Sequence, residues 1–446
     1  MKIHIDGISP NAIDYATGCI EDCRQENAKE YGFNYPYFTP GGSYGAQWWQ
    51  LDSSLALSGY KWIDRNFSET SLLNFIESQR EDGRICLWGK DVLPGTVAGG
   101  NFPKQTEGVS SLPKLFDVAY HILKGSSNGE LKKKTYDMLK KYLNWWYDKR
   151  FDGKTGLISA VFEETFIPYL DYAGEYAPVD TNVEVYVGCH YLELLATELG
   201  KDEDANLFKK RKEALKRAIN TYLWNEEKGA YYPYSLKQGK QSDVLMASTF
   251  YPLRLSVAEG ERKERLIELL RDDSHFNWNT IPLTSVSKRD KIFVTTHGGY
   301  QGNASWSGNV WTLINEMVIR GLIDSGEREL GAELAWKTLV AFGKNTAEFI
   351  NPFDGAGHGV IKYAWSASQY VELIVEVIFG ISFDGEKKQV SISPNLPSEL
   401  KDKKLSLEEV NLTDDTKISV YIDSGKVSFE VSDKAVTVKT DYGNEV

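Results

Sequence analysis

The chain has 446 residues, 41% hydrophobic and 26% charged, enough apolar material for one large domain or two to three ordinary ones. A formal net charge of −12 argues against nucleic acid as the main partner. No run approaches the roughly 18 apolar residues of a membrane span, and residues 1–18 lack an apolar signal region, so a soluble, cytoplasmic protein is expected.

Residues 12–30 read as a helix, followed by a loop rich in Tyr, Pro and Gly over 35–45. Gln47-Trp-Trp-Gln-Leu-Asp-Ser53 then leads into a helix ending near Ile63. Ser68 is a candidate N-cap for the next helix, with Leu72, Phe75 and Ile76 at helical spacing and a turn from Gln79 to Arg84. Residues 102–109 read as loop and 110–124 as helix. Residues 129–150 form a long amphipathic helix carrying Leu131, Tyr136, Leu139, Tyr142, Leu143 and Trp146 on one side.

Helical pairs follow at 180–199 and 202–223, 244–257 and 262–271, 305–322 and 328–342, with a last helix at 363–379. Connections are short within pairs and long and aromatic-rich between them. About a dozen helices in successive hairpins predict an (α/α)6 toroid, with an open solenoid as the alternative. The long loops would gather at one end and carry function. From residue 385 the pattern alternates with period two around Val390, Ile418, Val427 and Val436, which predicts a small antiparallel β-module. The expected organisation is therefore mainly α, with a helical domain at 1–384 and a β-module at 385–446.

Twelve Trp, 25 Tyr and 19 Phe suit a site that stacks on sugar rings, and equally a large helical core. Cys19, Cys23, Cys86 and Cys189 show no metal spacing and read as buried thiols. Residues 348–368 stand out. Glu348 sits among Ala347, Phe349 and Ile350, ahead of a turn with Asn351, Pro352, Asp354 and three glycines, and a helix opening at Trp365. Inverting glycoside hydrolysis needs two carboxyl groups about 6.5–9.5 Å apart, one protonated and one ionised. Glu348 is the candidate base. Glu164, beside Phe162, Phe166 and Ile167, is the first candidate for the acid; its neighbour Glu163 and Asp171 stay open.

Asp52 is a candidate ligand for sugar hydroxyls, or a helix cap. Asp180 opens a helix and reads as either its cap or a sugar contact. Gln79 could contact a hydroxyl or close its own turn. Trp49, Trp306, Trp311 and Trp365, with Asn309, are candidates for the cup. His297 and His358 lie in glycine-flanked loops where a ligand can approach. Neither has a partner at metal spacing, and no phosphate loop, dinucleotide fingerprint or nucleophile elbow is present, so no metal and no cofactor is expected.

Several of these stretches together resemble inverting glycosidases with an (α/α)6 barrel, the group of trehalases, family 63 processing α-glucosidases and mannosylglycerate hydrolases. Residues 37–53, YFTPGGSYGAQWWQLDS, are similar to its entry segment. Residues 71–85 look like its helix ending in Gln-x-x-Asp-Gly, and Trp306-Ser-Gly-Asn-Val-Trp311 resembles its Trp-Arg-Gly-Pro-x-Trp. Residues 353–368 resemble its Gly-rich loop and Gly-Trp-Ser. Ser307 and Asn309 depart from the pattern's Arg and Pro, and the usual acid segment has only 162–168 as a counterpart. The resemblance implies an exo-acting hydrolase of a small, α-linked sugar or glycoside, with Glu164 as acid and Glu348 as base. A sugar epimerase or polysaccharide lyase, using His297, His358, Tyr300 or Tyr363, is one alternative. A non-catalytic sugar-binding protein is another. Oligomeric state is left open.

Overall fold

The computed structural model describes residues 1–26, 29, 33–89, 108–168, 174–296, 306–343 and 345–440. Among them twelve α-helices run in sequence: α1 Ala12–Glu21, α2 Gln50–Tyr60, α3 Arg65–Ser78, α4 Leu115–Lys124, α5 Gly129–Lys149, α6 Val179–Glu198, α7 Asp202–Ala218, α8 Glu261–Arg271, α9 Asp273–Phe276, α10 Thr312–Asp324, α11 Arg328–Phe342 and α12 Ala364–Glu372. The segment Ala247–Ser256 between α7 and α8 is a kinked 3-10 helix, with Pro252 inside it and Leu255 at φ 46°. A π-helical turn, Leu373–Ile378, continues α12.

Several boundaries differ from the sequence reading, each for a local reason. The first helix stops at Glu21, because Arg24–Gln25 leaves it to pair with Tyr37–Phe38. Asp64, not Ser68, caps α3: its carboxylate accepts the Phe67 N–H at 2.8 Å, while the buried Ser68 hydroxyl bonds back to the Asp64 carbonyl. The fourth helix starts at Leu115; the Ser110 hydroxyl and the Ser111 N–H ahead of it donate instead to the Gln50 side-chain carbonyl.

Six segments are buried almost all round: α2, α4, α6, Ala247–Ser256, α10 and α12. Each packs on the next in that order, and α12 packs back on α2. The last pair approaches closely at Gly59, where a Cβ would run into the Ser368 carbonyl. The second members of the hairpins lie outside them, α7 on α6 and α11 on α10.

Between these inner segments lies a buried ionic network that includes Lys114 and Asp117 at the start of α4. Lys114 contacts Asp117 at 2.5 Å and Glu316 at 3.1 Å; Arg254 contacts Asp117 and Asp324; Arg320 contacts Glu316, Glu372 and Glu376, and the last two also hold Lys61. Asp52 in the first turn of α2 and Tyr363 just before α12 belong to the site described below.

The strands begin at Ile381–Asp384, four residues before the expected 385. They also recruit Lys2–His4, for which the sequence reading has no strand. A four-stranded antiparallel sheet runs Lys2–His4, Lys404–Asn411, Lys417–Asp423, Lys426–Val431, with Ile3 opposite Leu407, and Leu407 opposite Val420. A second sheet joins Ile381–Asp384, Gln389–Ile392 and Thr437–Thr440, its last pair parallel. Leu405, Leu407, Ile418, Val420 and Ile422 face the core. Arg65 and Asn411 tie this region to the α2–α3 corner, through the Leu412 and Ile63 carbonyls. All four cysteines are buried free thiols. No helix among the described residues is long and apolar enough to cross a membrane.

Candidate active site

Glu348 immediately precedes the strand Phe349–Ile350, which pairs with Gly357–His358. The ladder extends one step further, since Glu348 donates its N–H to the Val360 carbonyl at 2.8 Å, and Val360 N–H returns to the Glu348 carboxylate at 3.1 Å. Gly359, at φ 69°, is required here: a Cβ would strike that carboxylate. Tyr44, from the Gly-rich loop before α2, hydrogen-bonds the same group. Burial pushes the Glu348 carboxyl up to about 7, against the lowering by Val360.

Asp52 lies in the first turn of α2 and receives the hydroxyl of Tyr363, the residue preceding α12. Burial pushes its carboxyl up to about 7 although the Tyr363 bond favours the charged form. Glu163 completes the group. Its carboxyl is pushed up to about 8 by burial, and further by the charges of Asp52 and Glu348. Three carboxyl groups from three distant stretches thus gather at one site, Asp52 buried and Glu163 and Glu348 half-buried, and neighbouring negative charge raises Glu163 and Glu348.

Glu164 does not share it, which corrects the first-choice assignment. Its side chain is fully buried, and both oxygens are taken by Arg150, at 2.7 and 2.8 Å. Ser110 N–H and Val161 N–H fill the remaining positions at 2.9 and 3.1 Å. A carboxylate so saturated by donors is a structural anchor. The two neighbours part ways because Glu163 adopts φ 70°, a backbone that turns adjacent side chains in different directions. Asp171 lies outside the described residues, as do His297 and Tyr300.

Asp180 is neither cap nor sugar contact. It is fully buried in the first turn of α6, and its carboxylate accepts from Thr165 Oγ1, Phe166 N–H and Thr181 N–H, each within 2.8–2.9 Å. It staples the loop that carries Glu163. Gln79 closes its own turn: its amide donates to the Gly83 carbonyl at 2.9 Å and the Met138 carbonyl at 2.8 Å, which corrects its assignment as a sugar contact. Asn309 is fully buried, its backbone carbonyl accepting from Ser285 N–H, so it offers no surface to a sugar.

The aromatic candidates are mostly framework. Trp306 stacks on Phe166 at 4.2 Å and on Trp311 at 3.6 Å between ring centroids, and Trp311 continues to Phe349 at 4.7 Å. Two ring partners and 9% exposure leave Trp306 little surface to offer a sugar, against the expectation of a free wall. Trp365 is buried edge-on to Tyr363. Trp49 packs against Tyr44 and Trp88. His358 is half-buried beside Phe349.

Tyr44, Arg150 and Tyr363 as a partner of Asp52 are not singled out for these contacts by the sequence. Tyr44 sits between glycines just ahead of Trp48-Trp49, a placement that could have marked it. Arg150 carries no local signal.

A family model described as the mannosylglycerate hydrolase MGH1-like glycoside hydrolase domain matches residues 167–366. A mannosylglycerate hydrolase of Rubrobacter radiotolerans is 27% identical over 188 residues, 41% of this chain and 40% of that one. A periplasmic trehalase of Citrobacter koseri is 26% identical over 163 residues, 36% of this chain and 26% of that one. The chain is a relative of the trehalase, family 63 and mannosylglycerate hydrolase group of glycoside hydrolases. It spans less than half the length of the curated relatives it matches. The crystal structure of the family 63 mannosylglycerate hydrolase from Thermus thermophilus in complex with Tris shares its fold, with a TM-score of 0.67 at 18% identity, over 81% of this chain and 100% of that one. The matched stretch of the family model includes Asp180, Trp306 and Glu348. It begins four residues after Glu163, so the loop bearing the raised carboxyl lies just outside it.

Proposed function

We propose that this chain is an inverting, exo-acting glycosidase of a small, α-linked sugar or glycoside, built on a closed (α/α)6 toroid. The unbroken sequence of inner-helix contacts from α2 round to α12 and back supports the toroid. A helical catalytic unit ending before Ile381, with the C-terminal strands and Lys2–His4 packed on it, fits the sheet pairings and the ties at Arg65 and Asn411.

The observation that carries the reading is the set of three neighbouring carboxyl groups, each raised by desolvation. Glu163, held up to about 8, keeps its proton at neutral pH and serves as the general acid on the leaving oxygen. Glu348, at about 7, ionises first and serves as the base that activates water. The Val360 N–H and Tyr44 orient its carboxylate. Asp52 takes sugar hydroxyls, and its Tyr363 bond fixes which oxygen remains available. Activity should then peak between about 7 and 8, where Glu348 is ionised and Glu163 is not.

Trehalose and mannosylglycerate, the substrates named by the relatives, are the first to test. Glu348→Gln should lose hydrolysis by at least about 10³-fold while calorimetry still shows binding. Proton NMR should show the inverted anomer first in the wild-type reaction. Full turnover by Glu348→Gln would remove it as base, and retention of configuration would remove the mechanism. The commitment of the Tyr363 hydroxyl to Asp52 argues against Tyr363 as the base of an epimerase or lyase.

A further inference from the structure

We propose that the Arg150–Glu164 ion pair is the positioning device of the acid, holding the loop backbone that aims Glu163 at Asp52 and Glu348. This rests on Glu163 being the acid.

Glu163 is a non-glycine residue at φ 70°, a conformation that persists only where its surroundings over-determine it. Those surroundings are visible on both sides. Upstream, Leu112 N–H donates to the Glu163 carbonyl at 3.0 Å. Downstream, the Thr181 hydroxyl donates to the Glu164 carbonyl at 2.8 Å, and Asp180 holds Thr165 and Phe166. At the centre, the Glu164 carboxylate gathers Val161 N–H from its own turn, Ser110 N–H from a separate loop, and the Arg150 guanidinium from the end of α5.

Arg150 is itself anchored. Its Nη2 also reaches the Gly108 carbonyl at 2.6 Å, and its guanidinium lies 5.0 Å over the Trp145 ring. The planar fork matches both carboxylate oxygens at once, which an ammonium cannot do. With the pair in place, the turn has one arrangement, and Glu163 is the side chain left facing the pocket. Without it, Glu164 would be a buried charge lacking its counter-ion, and the turn would relax to hydrate it. Glu163 would swing away and lose its fixed seat.

The test compares Glu164→Gln, Arg150→Met and Arg150→Lys with the wild type. The probes are trehalose or mannosylglycerate, whichever is turned over, and the matching α-glycosyl fluoride, whose leaving group needs little proton donation. Loss of aim should lower kcat on the O-glycoside by about 10²-fold with KM changed less than about threefold. The fluoride should lose less than about fivefold. The alkaline limb of kcat/KM should move down by about one pH unit as Glu163 becomes solvated. Arg150→Lys should recover part of the loss, and its melting curve guards against simple unfolding of the harsher variants. Equal losses on both probes, or an unmoved alkaline limb, would overturn the proposal. If Glu163→Gln retains wild-type turnover of the O-glycoside, the acid assignment itself fails. If Glu163→Gln is inactive while the Arg150 and Glu164 variants behave as wild type, only the positioning role fails.

Discussion

Trp306 lies flat on Trp311, with ring centroids 3.6 Å apart and an interplanar angle of 13°. Phe166 extends the stack toward the loop of Glu163, and Phe349 extends it to the residue beside Glu348. The four rings form a rigid aromatic strut between the segments that carry the proposed acid and base. Carboxyl separation decides between inverting and retaining chemistry, so a strut of fixed thickness has functional weight.

Trp306→Ala should therefore act twice. Removing the ring should cost about 3–5 kcal/mol of stability, read from the urea midpoint. It should also lower kcat more than it raises KM, because the two carboxyl groups lose their spacer. Trp306→Phe keeps a stacked ring and should retain most of both. A variant with unchanged kcat would show that the stack is packing alone.

The Glu163 carboxyl makes stability depend on pH in a defined direction. Its folded value, about 8, lies above its ordinary value of 4.5, so the native state binds more protons than the unfolded chain between those values. Stability falls as pH rises through that window, and the full penalty stands above about 8. Glu163→Gln removes the penalty. It should be more stable than wild type by roughly 1–3 kcal/mol at pH 9 and indistinguishable at pH 4. Parallel stability curves across this range would contradict the raised carboxyl of Glu163.

The buried ionic network between the inner segments offers two contrasting variants. Burial pulls the Lys114 amine down, but Asp117, Glu316 and Glu184 outweigh it and hold the amine charged. Lys114→Met strands those acids and should cost about 3–5 kcal/mol. Glu184 is fully buried, with neither carboxylate oxygen hydrogen-bonded among the described residues, and burial pushes it up to about 7. Glu184→Gln removes a charge that is penalised as pH rises, so it should be neutral at pH 5 and stabilising at pH 8. Thermal melts at the two pH values read both variants, and a strongly destabilised Glu184→Gln would show that its charge is needed.

The helices were legible because their apolar faces repeat at helical spacing, and α11 begins and ends where that pattern does. Glu348 was legible because its loop must turn and its neighbours are apolar. The acid could be narrowed to Glu163, Glu164 and Asp171, and between the two glutamates no further by local reasoning. Both are glutamates in the same apolar setting, and the choice depends on Arg150 and Ser110, which lie 14 and 54 residues away from Glu164. Asp180 and Gln79 invited sugar-binding roles for a similar reason, since some of their partners, Thr165 and Met138, come from other elements. The strand Lys2–His4 was missed because three residues carry little periodicity and its partner begins about 400 residues later.

Periodicity and turn chemistry act between near neighbours, so the order of residues by itself determined where helices form and which loops must bend. Ion pairs, ring stacks and burial act between residues that meet only after folding. The tertiary structure alone therefore decided that Glu164 is anchored, that Glu163 faces Asp52 and Glu348, and that four rings stand between the two sides of the site.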